Sequence, residues 1–135
     1  MTSKITYKGG LRTEMTHIQS GTIVETDAPT DNNGKGERFS PTDLVATALG
    51  SCMLTIMGIA GNTHNISIEG TEVEITKVMT SAPRKIGEIR VKMTVKGQDS
   101  YSDKEKAILE NSALTCPVFL TLHEDVAKSV EFVWP

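Results

Sequence analysis

Two stretches of the chain alternate apolar and polar residues with a period of two. Val73 and Ile75 alternate with Glu72, Glu74 and Thr76, and Ile89, Val91, Met93 and Val95 alternate with Glu88, Arg90, Lys92, Thr94 and Lys96. Successive side chains of a strand point to opposite faces, so each arm is expected to bury one face and wet the other. Residues 81–87, which contain Pro83 and Gly87, read as the connection of a hairpin. Shorter strands are expected around Ile5 to Tyr7, Arg12 to Ile18 and Thr22 to Thr26, with Gly9-Gly10 and Ser20-Gly21 as turns between them. Val130, Phe132 and Trp134 alternate in a closing strand.

A different pattern separates these strands. Leu44 to Ala60 carries no charge over 17 residues, and Ser40, Pro41 and Asp43 supply an N-cap, a first helical residue and an acid at the third position. A helix is expected from there to about Gly61-Asn62, where Gly and Asn suit a left-handed cap. At 1.5 Å per residue it is roughly 30 Å long. The charge-free stretch sits at the short limit for crossing a bilayer, and it contains Gly50, Gly58, Ser51, Thr47 and Thr55. It reads as a buried central helix rather than a membrane span. Ser102 opens a second helix to about Ser112, and Pro117 a third, short one. Strands, a long helix, strands, two helices and a strand make an α+β domain.

Composition narrows the function. A chain of 135 residues fits a single domain, 1–135, with a sizeable core. A net charge of −3, scattered basic residues and six aromatic residues argue against nucleic acid as a partner. No apolar run follows Met1, so no signal peptide is read and a cytoplasmic location is expected. His17, His64 and His123 are scattered, and neither C-x-x-C nor H-x-x-x-H spacing occurs, so no metal and no cofactor are expected.

The remaining chemistry lies in two cysteines. Cys52 is in the charge-free helix, and from composition it reads first as a small buried hydrophobe. Gly50 and Ser51 thin the helix surface beside it and leave room for a substrate or another chain. The helix terminus does not activate this thiol: Cys52 is 12 residues past Ser40, about 18 Å along the axis, and the dipole effect fades within a turn. A reactive Cys52 needs a cation from elsewhere in the fold. Cys116 precedes Pro117 and is placed as an N-cap, where backbone N–H groups favour a thiolate; plain capping is the competing reading.

Residues 39–52, from Phe39-Ser-Pro-Thr-Asp through Leu-Gly-Ser-Cys52, resemble the helix of the OsmC/Ohr family, and Cys116-Pro117 after a helix that begins near Ser102-Asp103 resembles its second motif. The resemblance spans essentially the whole chain. It implies antiparallel sheets around a long central helix in an intertwined homodimer. It also implies a thiol-based peroxidase that reduces organic hydroperoxides, with Cys52 attacking the peroxide, Cys116 resolving the sulfenic acid, and a dithiol reductant of lipoyl or thioredoxin type restoring the pair. For that chemistry the two sulfurs, 64 residues apart, must lie close enough to bridge.

The family also uses an arginine beside the thiolate and a glutamate that holds the arginine. The glutamate position falls on Thr42, which has no carboxylate, and Asp43 stands next to it in the capping box. Arg38, anchored by Asp43 or Glu37, is the expected arginine, with Arg12 as the alternative. The loss of the glutamate keeps a second reading open, a non-enzymatic dimer that binds a small apolar ligand or senses oxidation.

Overall fold

The computed structural model describes residues 1–135. The chain divides into two compact units, residues 1–45 and 46–135. In the first, β1 (Ser3–Gly9), β2 (Arg12–His17) and β3 (Ile23–Asp27) form an antiparallel sheet in the order β1-β2-β3. Its register pairs Ile5 with Met15 and Met15 with Val24 on one face, and Arg12 with Asp27 on the other. All seven residues of β1 are exposed.

The second unit holds most of α1 (Pro41–His64) and a sheet of β4 (Glu72–Ser81), β5 (Arg84–Thr94) and β6 (Ala127–Val133), with α2 (Asp103–Ala113) and α3 (Pro117–Thr121) between β5 and β6. β4 and β5 pair antiparallel, and β6 runs parallel to β5. The register sets Val91 beside Ile75 and Val130, and Met93 beside Val73 and Phe132, so one face of the sheet is apolar throughout. The other face carries charge, with Lys92 against Glu74 and Arg90 against Glu88.

α1 covers the apolar face with Leu49, Met53 and Met57, which are fully buried with Ile89, Val91, Met93, Val95, Leu109 and Cys116. Each such side chain contributes about 1.5–3 kcal/mol by leaving water. Along α1 the buried residues Ala46, Leu49, Gly50, Met53, Met57 and Gly61 recur every three or four positions, while Val45, Ala48, Ser51, Thr55 and Ile59 are exposed. The long helix is therefore buried along one stripe and bare along the other.

The structure shifts three element boundaries. α1 continues to His64, and Asn65, at φ 57°, is the left-handed residue that ends it. The Ile66 N–H then closes on the Gly61 carbonyl at 2.8 Å, the long bond of a Schellman cap. Gly61 is required by crowding, since a Cβ there would lie 2.5 Å from the Ile66 carbonyl oxygen. The hairpin loop is also shorter than its sequence suggests: β4 and β5 run on to Ser81 and Arg84, leaving Ala82-Pro83 as the turn, with a bulge at Val78/Met79.

Candidate active site

The thiols lie in the second unit. α1 presents Cys52 half-buried, and Cys116 is wholly buried between α2 and α3. Cys52 packs against the buried cluster that contains Cys116 and pushes the Cys116 thiol up, so the fold brings into one neighbourhood two residues that are 64 positions apart. Gly50 is spent on packing: a Cβ there would meet Ile75 Cδ1 at 2.8 Å and Val73 Cγ1 at 3.1 Å. Its smallness lets α1 lie directly on β4. Beside this turn runs an open groove of about 450 Å³ lined by Thr47, Ser51, Leu54, Thr55, Val73 and Ile75.

Cys116 is the N-cap of α3, with extended backbone (φ −65°, ψ 147°), and its sulfur accepts the Phe119 N–H at 3.3 Å. The expected cap geometry is present, but its electrostatic result is reversed. Burial pushes the Cys116 thiol up, the Phe119 and Val118 N–H groups pull it down, and the neighbouring Cys52 raises it further. The net direction is up. Two weak N–H contacts do not offset the loss of water around a fully enclosed sulfur, so Cys116 keeps its proton at neutral pH.

The arginines lie in the first unit and differ sharply. Arg12 opens β2 directly across from Asp27 at the end of β3. Its Nε and Nη2 donate to the two Asp27 carboxylate oxygens at 2.7 and 2.8 Å, and Nη2 also reaches Glu37 Oε2 at 3.0 Å. Asp27 is buried, its Oδ2 also accepts the Glu37 N–H at 3.2 Å, and its own N–H donates to the Phe39 carbonyl at 3.2 Å. The Arg12 fork holds the Asp27 carboxyl below its usual range, against the cost of burial. Two carboxylates and β-strand register fix Arg12 in place.

Arg38 is looser. Its Nε donates to Glu25 Oε2 at 2.8 Å and its Nη1 to the Glu37 carbonyl at 3.0 Å, with the side chain 45% exposed against 21% for Arg12. Glu25, which the sequence did not suggest, is thus a carboxylate partner of Arg38. The Glu37 carboxylate is committed to Arg12. Asp43 accepts the Ser40 N–H at 2.9 Å while its own N–H donates to Ser40 Oγ at 3.0 Å, a reciprocal capping box. Thr42 Oγ1 lies 3.1 Å from Ser40 Oγ in the same cap. Asp27 is the residue that sequence reasoning missed. Its signal was the hairpin register, which sets it opposite Arg12.

Residues 34–131 match the family model described as OsmC-like protein. The chain belongs to the OsmC-like family. A solved structure of a putative osmotic stress induced and detoxification response protein from Psychrobacter arcticus 273-4 is 49% identical over 98% of this chain and 95% of its own, with a TM-score of 0.93. The organic hydroperoxide resistance protein OsmC from Legionella pneumophila (16% identity, 98% and 97% coverage, TM-score 0.73) and OhrB of Bacillus subtilis (20%, 98% and 98%, 0.65) share the fold. No curated protein matches the chain by sequence. The α+β architecture of this OsmC-like protein agrees with that expected from its sequence.

Proposed function

We propose that this OsmC-like protein is a thiol peroxidase that reduces organic hydroperoxides as a cytoplasmic homodimer. The observation that carries the reading is the packing of Cys52 against the buried cluster that contains Cys116, the first thiol half-buried and the second enclosed and held protonated by burial. The accessible Cys52 thiolate attacks the distal oxygen of the hydroperoxide, forming an S–O bond as the O–O bond breaks and the alcohol leaves. The sulfenic acid then condenses with Cys116 to give a disulfide and water. A dithiol of lipoyl or thioredoxin type reduces the disulfide by exchange. The organic hydroperoxide resistance for which two proteins of the same fold are named supports this substrate class.

Of the two candidate arginines, Arg12 is the better prepared to serve as a fixed cation. A guanidinium gripped by Asp27 and Glu37 is pre-oriented, and those two acids supply what Thr42 lacks. The homodimer is supported by the bare stripe of α1 and by the apolar side chains exposed on residues 1–45. An interface that covers them is expected to exceed about 2,000 Å².

The test is a single-turnover oxidation. Reduced protein mixed with cumene hydroperoxide is expected to lose both thiols together, faster than with hydrogen peroxide, and Cys52→Ser is expected to abolish the reaction. Equal, slow loss with either oxidant removes the peroxidase reading and leaves a ligand-binding or oxidation-sensing dimer.

A further inference from the structure

Within the peroxidase reading, on which this inference rests, we infer that Cys116 acts before resolution as well: it is the general acid that protonates the departing alkoxide. Cys116 is 0% exposed, it belongs to the buried cluster against which Cys52, where the chemistry starts, is packed, and its own sulfur already accepts the Phe119 N–H at 3.3 Å. When the Cys52 thiolate takes the distal oxygen, the O–O bond breaks and its electron pair stays on the proximal oxygen as an alkoxide. The Cys116 S–H bond then breaks, its proton passes to that oxygen, and the alcohol departs. The electron pair left on Cys116 makes it a thiolate, with the Phe119 N–H already in place to receive the charge.

This thiolate attacks the Cys52 sulfenic acid, forms the S–S bond and expels hydroxide, which takes a proton from solvent. Every proton and electron pair is accounted for, and the hydroperoxide is the only oxidant. Proton transfer runs downhill because an alkoxide is a far stronger base than a thiolate. Burial, which pushes the Cys116 thiol up, and the neighbouring Cys52 keep the proton in place until the alkoxide appears. The same transfer arms the resolving thiol only after the peroxide has reacted, so the enclosed sulfur does not compete with Cys52 for substrate.

Leaving-group dependence tests this role. Peracetic acid expels a carboxylate that needs no proton, whereas tert-butyl hydroperoxide expels an alkoxide that does. Peroxide loss is followed in single turnover with protein in excess, and the Cys52 sulfenic acid is trapped with dimedone. Cys116→Ser, whose hydroxyl is a weak acid but a good N-cap, and Cys116→Ala are expected to slow tert-butyl hydroperoxide by about a hundredfold and to leave peracetic acid within about twofold of wild type. Unchanged peracetic acid kinetics also show that the variants are folded. Equal slowing of both oxidants means that Cys116 only positions Cys52, and no slowing of either means that it only resolves; both results overturn the inference. Wild-type protein that consumes tert-butyl hydroperoxide no faster than Cys52→Ser overturns the peroxidase reading and this inference with it.

Discussion

In residues 46–135 the buried side chains are apolar: Leu49, Met53, Met57, Ile89, Val91, Met93 and their neighbours form one continuous core. In residues 1–45 the three buried residues are Thr26, Asp27 and Ser40, all polar, while nine of the twelve large apolar side chains left exposed in the chain fall here, among them Ile5, Tyr7 and Val24. The first region is stabilised by removing hydrocarbon from water. The second is organised by ladder hydrogen bonds, a helix cap and the Arg12–Asp27–Glu37 cluster, and it leaves its hydrocarbon wet. Only the first has the composition of a self-sufficient core. The homodimer proposed above gives the second region the cover that its own residues lack.

The strongest way to break this contrast is a cavity in the core. Leu49→Ala removes a fully buried side chain from the contact between α1 and the sheet, and it is expected to lower stability by about 2–5 kcal/mol. A urea titration reads the loss, and a midpoint near wild type means that the core is not where the stability resides.

The complementary experiment adds charge to the wet hydrocarbon. Ile5 and Tyr7 lie two residues apart on one face of β1, 60% and 64% exposed. In an isolated chain, lysine at both positions has little consequence. In a homodimer covered on this face, Ile5→Lys with Tyr7→Lys buries two charges and is expected to weaken association about thirtyfold or more. Light scattering across micromolar concentrations decides between the two, and an unchanged dimer mass excludes this face from the interface.

The same contrast explains what was legible in the sequence. Elements of residues 46–135 were readable because their burial is periodic: every second residue in β5, and every third or fourth in α1. Ser40-Pro41 marked the start of α1 and Ser102 that of α2 for local reasons, and in the structure Ser102 forms a capping box in which the Glu105 N–H donates to Ser102 Oγ at 3.2 Å. The end of α1 was misplaced because Gly61 serves a close approach to Ile66, a tertiary fact that resembles a cap signal. The parallel seat of β6 on β5 depends on register between distant strands, which no local pattern encodes, whereas the pairing of Arg12 with Asp27 follows from a hairpin register that the turn between β2 and β3 sets. Cys116 shows the same limit: its N-cap was legible from Pro117, but the burial that sets its protonation was not.

An acid titration probes the polar cluster. The folded state holds the Asp27 and Glu25 carboxyls below their ordinary values through Arg12 and Arg38 respectively. A depressed folded value means that the unfolded chain binds protons more tightly. The stabilisation is therefore complete above the ordinary carboxylate range, about pH 4, and is lost as pH falls through the depressed values. Asp27→Asn is expected to lower the urea midpoint at pH 7 and to flatten its decline between about pH 5 and 3. A variant that keeps the full acid slope places the titrating groups elsewhere.

The smallest effect is expected at Arg38. Its partner Glu25 is only half-buried, the guanidinium is 45% exposed, and such pairs give little net stabilisation because solvent screens them and the side chains lose freedom. Arg12 is different in kind, since its fork meets Asp27 in a bidentate pair and Glu37 at a third point. Cys52 alkylation measured from pH 6 to 10 in reduced protein separates the two. Arg38→Ala is expected to follow the wild-type curve, with stability unchanged. In the peroxidase reading, Arg12→Ala is expected to slow Cys52 alkylation at neutral pH. If Arg38→Ala slows alkylation and Arg12→Ala does not, the activating charge comes from the more exposed arginine, and the Arg12–Asp27–Glu37 cluster is part of the scaffold of residues 1–45 alone.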